Sequence, residues 1–137
     1  MPPEVAKLNG YDPEVWEKEA ISREEAMQKF SDFVMWTNFG GQNPAFDKGF
    51  LLQEFKKCGI EWPRMQGYRL IATEMLAWPL LLAGKIPNVK QETLVRYFKL
   101  GEQTHDALDD VRQCVEIYRR LIGSAVVAAA SSTATKA

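Results

Sequence analysis

Three side chains in this 137-residue sequence are of types that could do proton and metal chemistry together: Asp47, His105 and Asp110. Carboxylates bind hard divalent cations, and a histidine titrates near neutral pH, so the set could polarise a water and take its proton. Each residue also has an ordinary structural reading. Asp47 follows Asn43-Pro44, an N-cap and first-position pair, and an acid in a first helical turn complements the positive end of the helix. Asp106, Asp109 and Asp110 crowd the start of another predicted helix, where the same field favours them. His105 is the only histidine, and a lone histidine there can serve as a surface or capping residue.

Helical spacing sharpens the question. Phe46, Phe50, Leu51, Phe55 and Cys58 spread over one broad face at ~100° per residue, and Asp47 falls near its middle. A carboxylate on a core-facing stripe is costly unless it is paired or binds metal. In the last helix, Ala107, Leu108, Val111, Cys114, Val115, Tyr118 and Leu121 define the apolar face. Asp109 points away from that face and is expected to be solvated, whereas Asp110 lies at its edge and looks along the core boundary into a cleft.

The elements that must position these residues can be read from caps, periodicity and breakers. Residues 1–21 are polar and proline-punctuated, and are expected to be loop and short helical turns. Ser22 with Glu25 forms a capping box, opening a helix from Ser22 to Phe33. Phe33 to Phe39 is β-branched and aromatic, which predicts a strand buried on both faces and ended by Gly40-Gly41. A helix from Pro44 to Cys58 stops at Gly59, and Gly67 to Thr73 is a second candidate strand. Glu74 to Ala83 forms a helix that Pro79 kinks or shortens, Asn88 to Leu100 another, and Thr104 to Ile122 the last, closed by Gly123. Residues 22–122 thus make the folded domain, and 123–137, almost all Ala, Ser, Thr and Val, are expected to be a disordered tail. The result is an α/β class with two strands. Two strands are marginal alone, so the sheet wants neighbours.

Taken together, the motifs resemble a known family. Asn43-Pro44-Ala45-Phe46-Asp47-Lys48-Gly49-Phe50 is similar to the second exonuclease motif of DnaQ-like, DEDDh proteins, and His105-Asp106-Ala107-Leu108-Asp109-Asp110 looks like their third. Glu92-Thr93-Leu94-Val95-Arg96-Tyr97-Phe98, just before it, also resembles the family, and the likeness covers roughly residues 4 to 122 by pattern reading. It implies an RNase H-like fold and a two-metal 3′–5′ exonuclease acting on the 3′ end of DNA or RNA. It further implies Mg²⁺ or Mn²⁺ as cofactor, Asp47 and Asp110 as metal ligands, and His105 as base. The family's first motif, Asp-x-Glu on an opening strand, has no counterpart here. Asp12-Pro13-Glu14 has the right outer residues but a central proline and turn-like flanks. The expectation is therefore an incomplete domain with its opening strands missing and Met1 an internal or artificial start. The alternative is a catalytically inactive module that binds nucleic acid or a polymerase. A homo-oligomer could complete the sheet by strand pairing.

The bulk numbers agree with these readings. Hydrophobic residues make up 46% and charged residues 26%, the balance of a globular domain, and the net charge of −1 excludes a broadly cationic nucleic-acid coat. Cys58 and Cys114 stand in no metal-ligand spacing, and no basic start precedes an apolar run, so a reduced, cytoplasmic setting without a signal peptide is expected. Apolar runs such as Leu80 to Ala83 are too short to span a bilayer. Trp16, Trp36, Trp62 and Trp78 are scattered and predicted to pack in core or loops, and Lys56, Lys57 and Arg64 are expected at a solvated helix end.

Overall fold

The structure, a computed structural model, describes residues 2–8, 10–63, 69–102 and 106–134. It divides into two compact units, Met1–Ile71 and Ala72–Ala137.

In the first unit, α1 (Pro3–Leu8) and α2 (Pro13–Glu19) occupy the stretch expected to be loop and short helical turns. Asp12 caps α2 by accepting from the backbone N–H groups of Glu14 and Val15. The helix α3 (Arg23–Val34) starts where its capping box predicts, with Ser22 Oγ accepting from the Glu25 N–H. Helix α4 (Pro44–Cys58) carries Pro44 in its first turn and ends at Gly59, which takes a left-handed φ of 65°. Phe55, only 1% exposed, meets the rings of Phe30 and Trp62, and Trp62 in turn meets Phe39. Arg23 bridges to Glu54 at 3.2 Å, tying α3 to α4, and Lys57 holds the same carboxylate from the next turn.

The strand expected over Phe33 to Phe39 does not form. Phe33 and Val34 complete α3, and Trp36 takes φ 66°, a conformation no strand accepts. Thr37 then closes the helix end, its N–H and its hydroxyl both donating to the Val34 carbonyl. Among the described residues, strand is confined to β1 (Gly40–Gly41) and β2 (Ile71–Ala72), and the Ile71 N–H donates to the Phe39 carbonyl at 3.0 Å. A strand holds its shape through ladder partners, and along this segment that bond marks where pairing begins. Of the second predicted strand, Gly67 to Thr73, residues 67 and 68 lie outside the described residues. The described residues are mostly helical with two short strands.

In the second unit, α5 (Thr73–Leu76) and α6 (Trp78–Leu82) replace the single helix expected there. Pro79 can occupy only a first turn, so the helix restarts just before it. Helix α7 (Gln91–Phe98) is preceded by Asn88, whose side-chain oxygen accepts from the Lys90 N–H and the Thr93 hydroxyl. Helix α8 (Ala107–Ala134) does not stop at Gly123. A glycine inside a helix costs only ~1 kcal/mol relative to alanine, and the Ala-rich segment beyond it favours helix strongly. The described part of the expected disordered tail is therefore helical, and 135–137 lie outside the described residues. The core is Ala77, Ile86, Leu94, Val95, Ile117 and Leu121, with α7 and α5 both packed on α8.

Leu94→Ala is expected to lose ~2–5 kcal/mol by emptying this core, while Leu82→Ala, at a position 80% exposed, changes stability by less than ~0.5 kcal/mol. Urea unfolding followed by far-ultraviolet circular dichroism reads both; equal losses would contradict the packing described.

Candidate active site

Asp47 and Asp110 lie in different units, so each is built from its own surroundings. His105 lies outside the described residues.

The sequence reading put Asp47 on a core-facing stripe, and the structure corrects this. The buried or half-buried side of α4 is Pro44, Lys48, Leu51, Phe55 and Cys58, and Asp47 is exposed. Phe46 and Phe50 are 63% and 58% exposed and pack on each other one turn apart, with ring centroids 4.9 Å apart. Counting aromatic rings as core residues had widened the apparent face; neighbours, not residue type, decide burial. Asp47 sits in the first turn of α4, and its Oδ2 folds back so that a Cβ added to Gly41 would lie 3.7 Å from it. Asn43 holds the N-cap position without a side-chain cap bond. The carboxylate is thus presented to solvent at a helix N-terminus, beside the β1 backbone.

The three acids at the start of α8 are sorted by their partners. Asp106 Oδ1 accepts from the Leu108 and Asp109 N–H groups, each at 3.0 Å, and so caps the helix. Asp109 pairs with Arg112 at 3.1 Å, the solvated role expected of it. Asp110 does neither. Its Oδ1 is buried and has no hydrogen-bond partner among the described residues, while its carbonyl accepts from Gln91 Nε2 of α7 at 2.9 Å. Gln113, one turn on, has a buried Oε1 in the same condition, although its Nε2 donates to the Glu102 carbonyl. Sequence reasoning missed Gln113; the available signal was a polar residue at i+3 from Asp110, near the line of Ile117 and Leu121.

The apolar face predicted for α8 is also rotated. Leu108, Val111 and Val115 are 57%, 58% and 43% exposed, whereas Ile117 and Leu121 are buried. Asp110 is half-buried, at the edge that the spacing predicts, and Cys114, Ile117 and Leu121 continue its line inward. Acceptor oxygens with nothing to accept from suit a cation, and oxygen-only donors suit a hard one. Asp110 therefore fits a divalent ion in kind. Among the described residues, however, no group of three or more His, Cys, Asp or Glu side chains is disposed to hold a metal.

Comparison with known proteins gives this geometry its context. The exonuclease family RNase_T matches residues 1–118. The chain belongs to that exonuclease family, within the RNase H-like superfamily. It is 30% identical over 123 residues to a protein of Mycobacterium tuberculosis (strain CDC 1551 / Oshkosh) named as a bifunctional exonuclease/endonuclease. That alignment takes in 89% of this chain, which spans 18% of the relative's length. No solved structure matches. Membership implies an α/β RNase H-like fold. Among the described residues no helix is long and apolar enough to cross a membrane.

Because Asp110 Oδ1 is buried without a donor among the described residues, Asp110→Asn in EDTA should be more stable than the native chain by about 1 kcal/mol. Denaturant unfolding measures it, and a loss of that size would reveal a donor to this oxygen.

Proposed function

We propose that the chain carries part of a metal-dependent 3′–5′ exonuclease site, a phosphodiesterase in which Asp47 and Asp110 hold Mg²⁺ or Mn²⁺ and His105 acts as general base. The observation that supports it most is the buried, unpartnered oxygen of Asp110 at the place where the third family motif sets a metal ligand. Of three neighbouring acids, the one in the motif position is the one that neither caps nor pairs. A pair of bound divalent ions ~4 Å apart would polarise the phosphate and stabilise the leaving oxygen. Asp110 contributes an acceptor already stripped of water, and the Gln91 bond to its carbonyl anchors the first turn of α8. Asp47 contributes a solvated carboxylate that needs no partner removed before it binds. His105, five residues before Asp110, has the titration range to take the water's proton.

Two carboxylates fall short of the four in the family pattern. Within these 137 residues Asp-x-Glu occurs only at Asp12-Pro13-Glu14, where Asp12 is committed to capping α2. The proposal therefore takes 22–122 as an incomplete RNase H-like sheet and site, in which the N-terminal acids or a second copy supply further oxygen ligands. The cap at Asp12 favours one other reading: a catalytically inactive module that binds nucleic acid or a polymerase partner. Either would suit a reduced, cytoplasmic compartment, with neither Cys58 nor Cys114 in a disulfide among the described residues.

The test is a 5′-labelled single-stranded oligonucleotide, DNA or RNA, incubated with the chain and Mn²⁺. Stepwise loss from the 3′ end is expected, slowed ~10²–10⁴-fold by His105→Ala and at least as much by Asp47→Asn or Asp110→Asn. A ladder unaffected by these substitutions would defeat the residue assignment. A folded chain that shortens nothing favours the inactive module.

A further inference from the structure

The second unit holds a cleft that the motif residues do not explain. It has a volume of about 380 Å³ and lies between the loop after α6 and one face of α7. That volume is at the lower end of ligand-sized cavities. The loop is fixed rather than loose: Gly84 turns the chain with φ 65°, and the Lys85 N–H donates back to the Leu80 carbonyl at 2.9 Å. Asn88 is locked by its two accepted hydrogen bonds. Buried Ile86 supplies an apolar floor, with Pro87 beside it.

The polar groups around this floor share one character. Lys85 and Arg96 bring two cations, and no carboxylate lines the cleft. Asn88 has its oxygen taken by the Lys90 N–H and the Thr93 hydroxyl, which leaves its amide as a donor. Thr93 spends its own proton in that bond. Tyr97 is 41% exposed and its ring is set edge-on against Phe98, centroids 5.0 Å apart and planes at 81°. Glu92 holds one guanidinium nitrogen of Arg96 at 2.9 Å, a pair open to solvent that leaves other donors of the fork available. Donors and cations around an apolar, aromatic-edged floor suit an anion joined to a flat ring.

We propose that this cleft binds one nucleotide unit of a single-stranded nucleic acid, its phosphodiester between Lys85 and Arg96 and its base against Tyr97. Stacking on an aromatic ring with cations on the backbone is how single strands are held without sequence preference. A free small anion would use the cations but not the ring. The cleft also has a physical link to Asp110: Gln91, the first residue of the helix that carries Thr93, Arg96 and Tyr97, donates to the Asp110 carbonyl. A strand held here would leave the first turn of α8 close at hand. The inference rests on the nuclease reading only for the ligand being a nucleic acid.

The experiment is fluorescence anisotropy of a labelled single-stranded oligothymidylate and an oligouridylate with the native chain in EDTA, across a salt series. Lys85→Ala with Arg96→Ala should raise Kd at least ten-fold and flatten the slope of log Kd against log salt by ~1.4, two contacts at about 0.7 each. Tyr97→Leu should weaken binding about five-fold or more. Glu92→Gln, which frees Arg96, should tighten it. All four positions lie outside the buried apolar core, and circular dichroism confirms that each variant folds. Asp110→Asn, which removes cleavage under the nuclease reading, should not weaken this metal-free binding. Loss of binding in the cleft variants, with no cleavage by the native chain, would sink the activity reading and keep this one. Cleavage with binding indifferent to Lys85, Arg96 and Tyr97 would overturn the cleft and keep the activity. No binding by the native chain also overturns the cleft, as would inorganic phosphate competing fully while Tyr97→Leu has no effect.

Discussion

The packing of α7 on α8 is the constraint from which the second unit follows. Leu94 and Val95 share one core with Ile117 and Leu121, and those contacts fix the rotation of α8 about its own axis. Once Ile117 and Leu121 point inward, Asp110 must follow them, because seven and eleven residues are close to whole numbers of helical turns. A buried carboxylate oxygen without a donor costs on the order of 1–3 kcal/mol, and a core of this kind can hold it in place. The same packing brings the first residue of α7 against the Asp110 carbonyl, so one interface sets both the rotation and the height of the acid.

Unlike Asp110, Asp47 is placed by backbone chemistry rather than by a core. Pro44 starts α4 with its φ already suited to helix, and the Asp47 carboxylate folds back beside Gly41. Its side chain is exposed, and the neighbouring Phe46 and Phe50 cover each other instead of the interior. The two acids thus differ in kind: one half-buried with an oxygen that has no donor among the described residues, the other solvated at a helix start.

Much of the fold was legible because local chemistry is explicit in this sequence. Ser22 with Glu25, Asn43-Pro44 and Gly59 mark helix ends by hydrogen bonding, fixed φ or left-handed backbone, and the structure keeps all three boundaries within a residue. Where tertiary context decides, the reading failed. Phe33 to Phe39 has the composition of a strand but ends a helix, because a strand depends on partners that composition does not specify. The rotation of α8 was misjudged for a related reason: Leu108, Val111 and Val115 are apolar in type yet exposed in place. Gly123 was taken for a stop, although glycine ends a helix only where the backbone turns left-handed. At the site, the motif picked out Asp110 among its neighbours, but the capping of Asp106 and the orphaned oxygens of Asp110 and Gln113 depend on side-chain geometry that spacing does not give.

The carboxylate shared by Lys57 and Arg23 makes the first unit sensitive to protons. The hydrogen bond from Lys57 holds the Glu54 carboxyl below its ordinary value against desolvation, with lesser help from the charges of Lys57 and Arg23. A group that is more acidic when folded than when unfolded stabilises the fold wherever the unfolded form would already be ionised. That contribution is fully present above the ordinary glutamate range and disappears as pH falls through the lower, folded value. Acid therefore unfastens α3 from α4 at this point without touching the Phe30–Phe55 contact beneath it. Because the pair is solvated, added salt should weaken the coupling in the same direction.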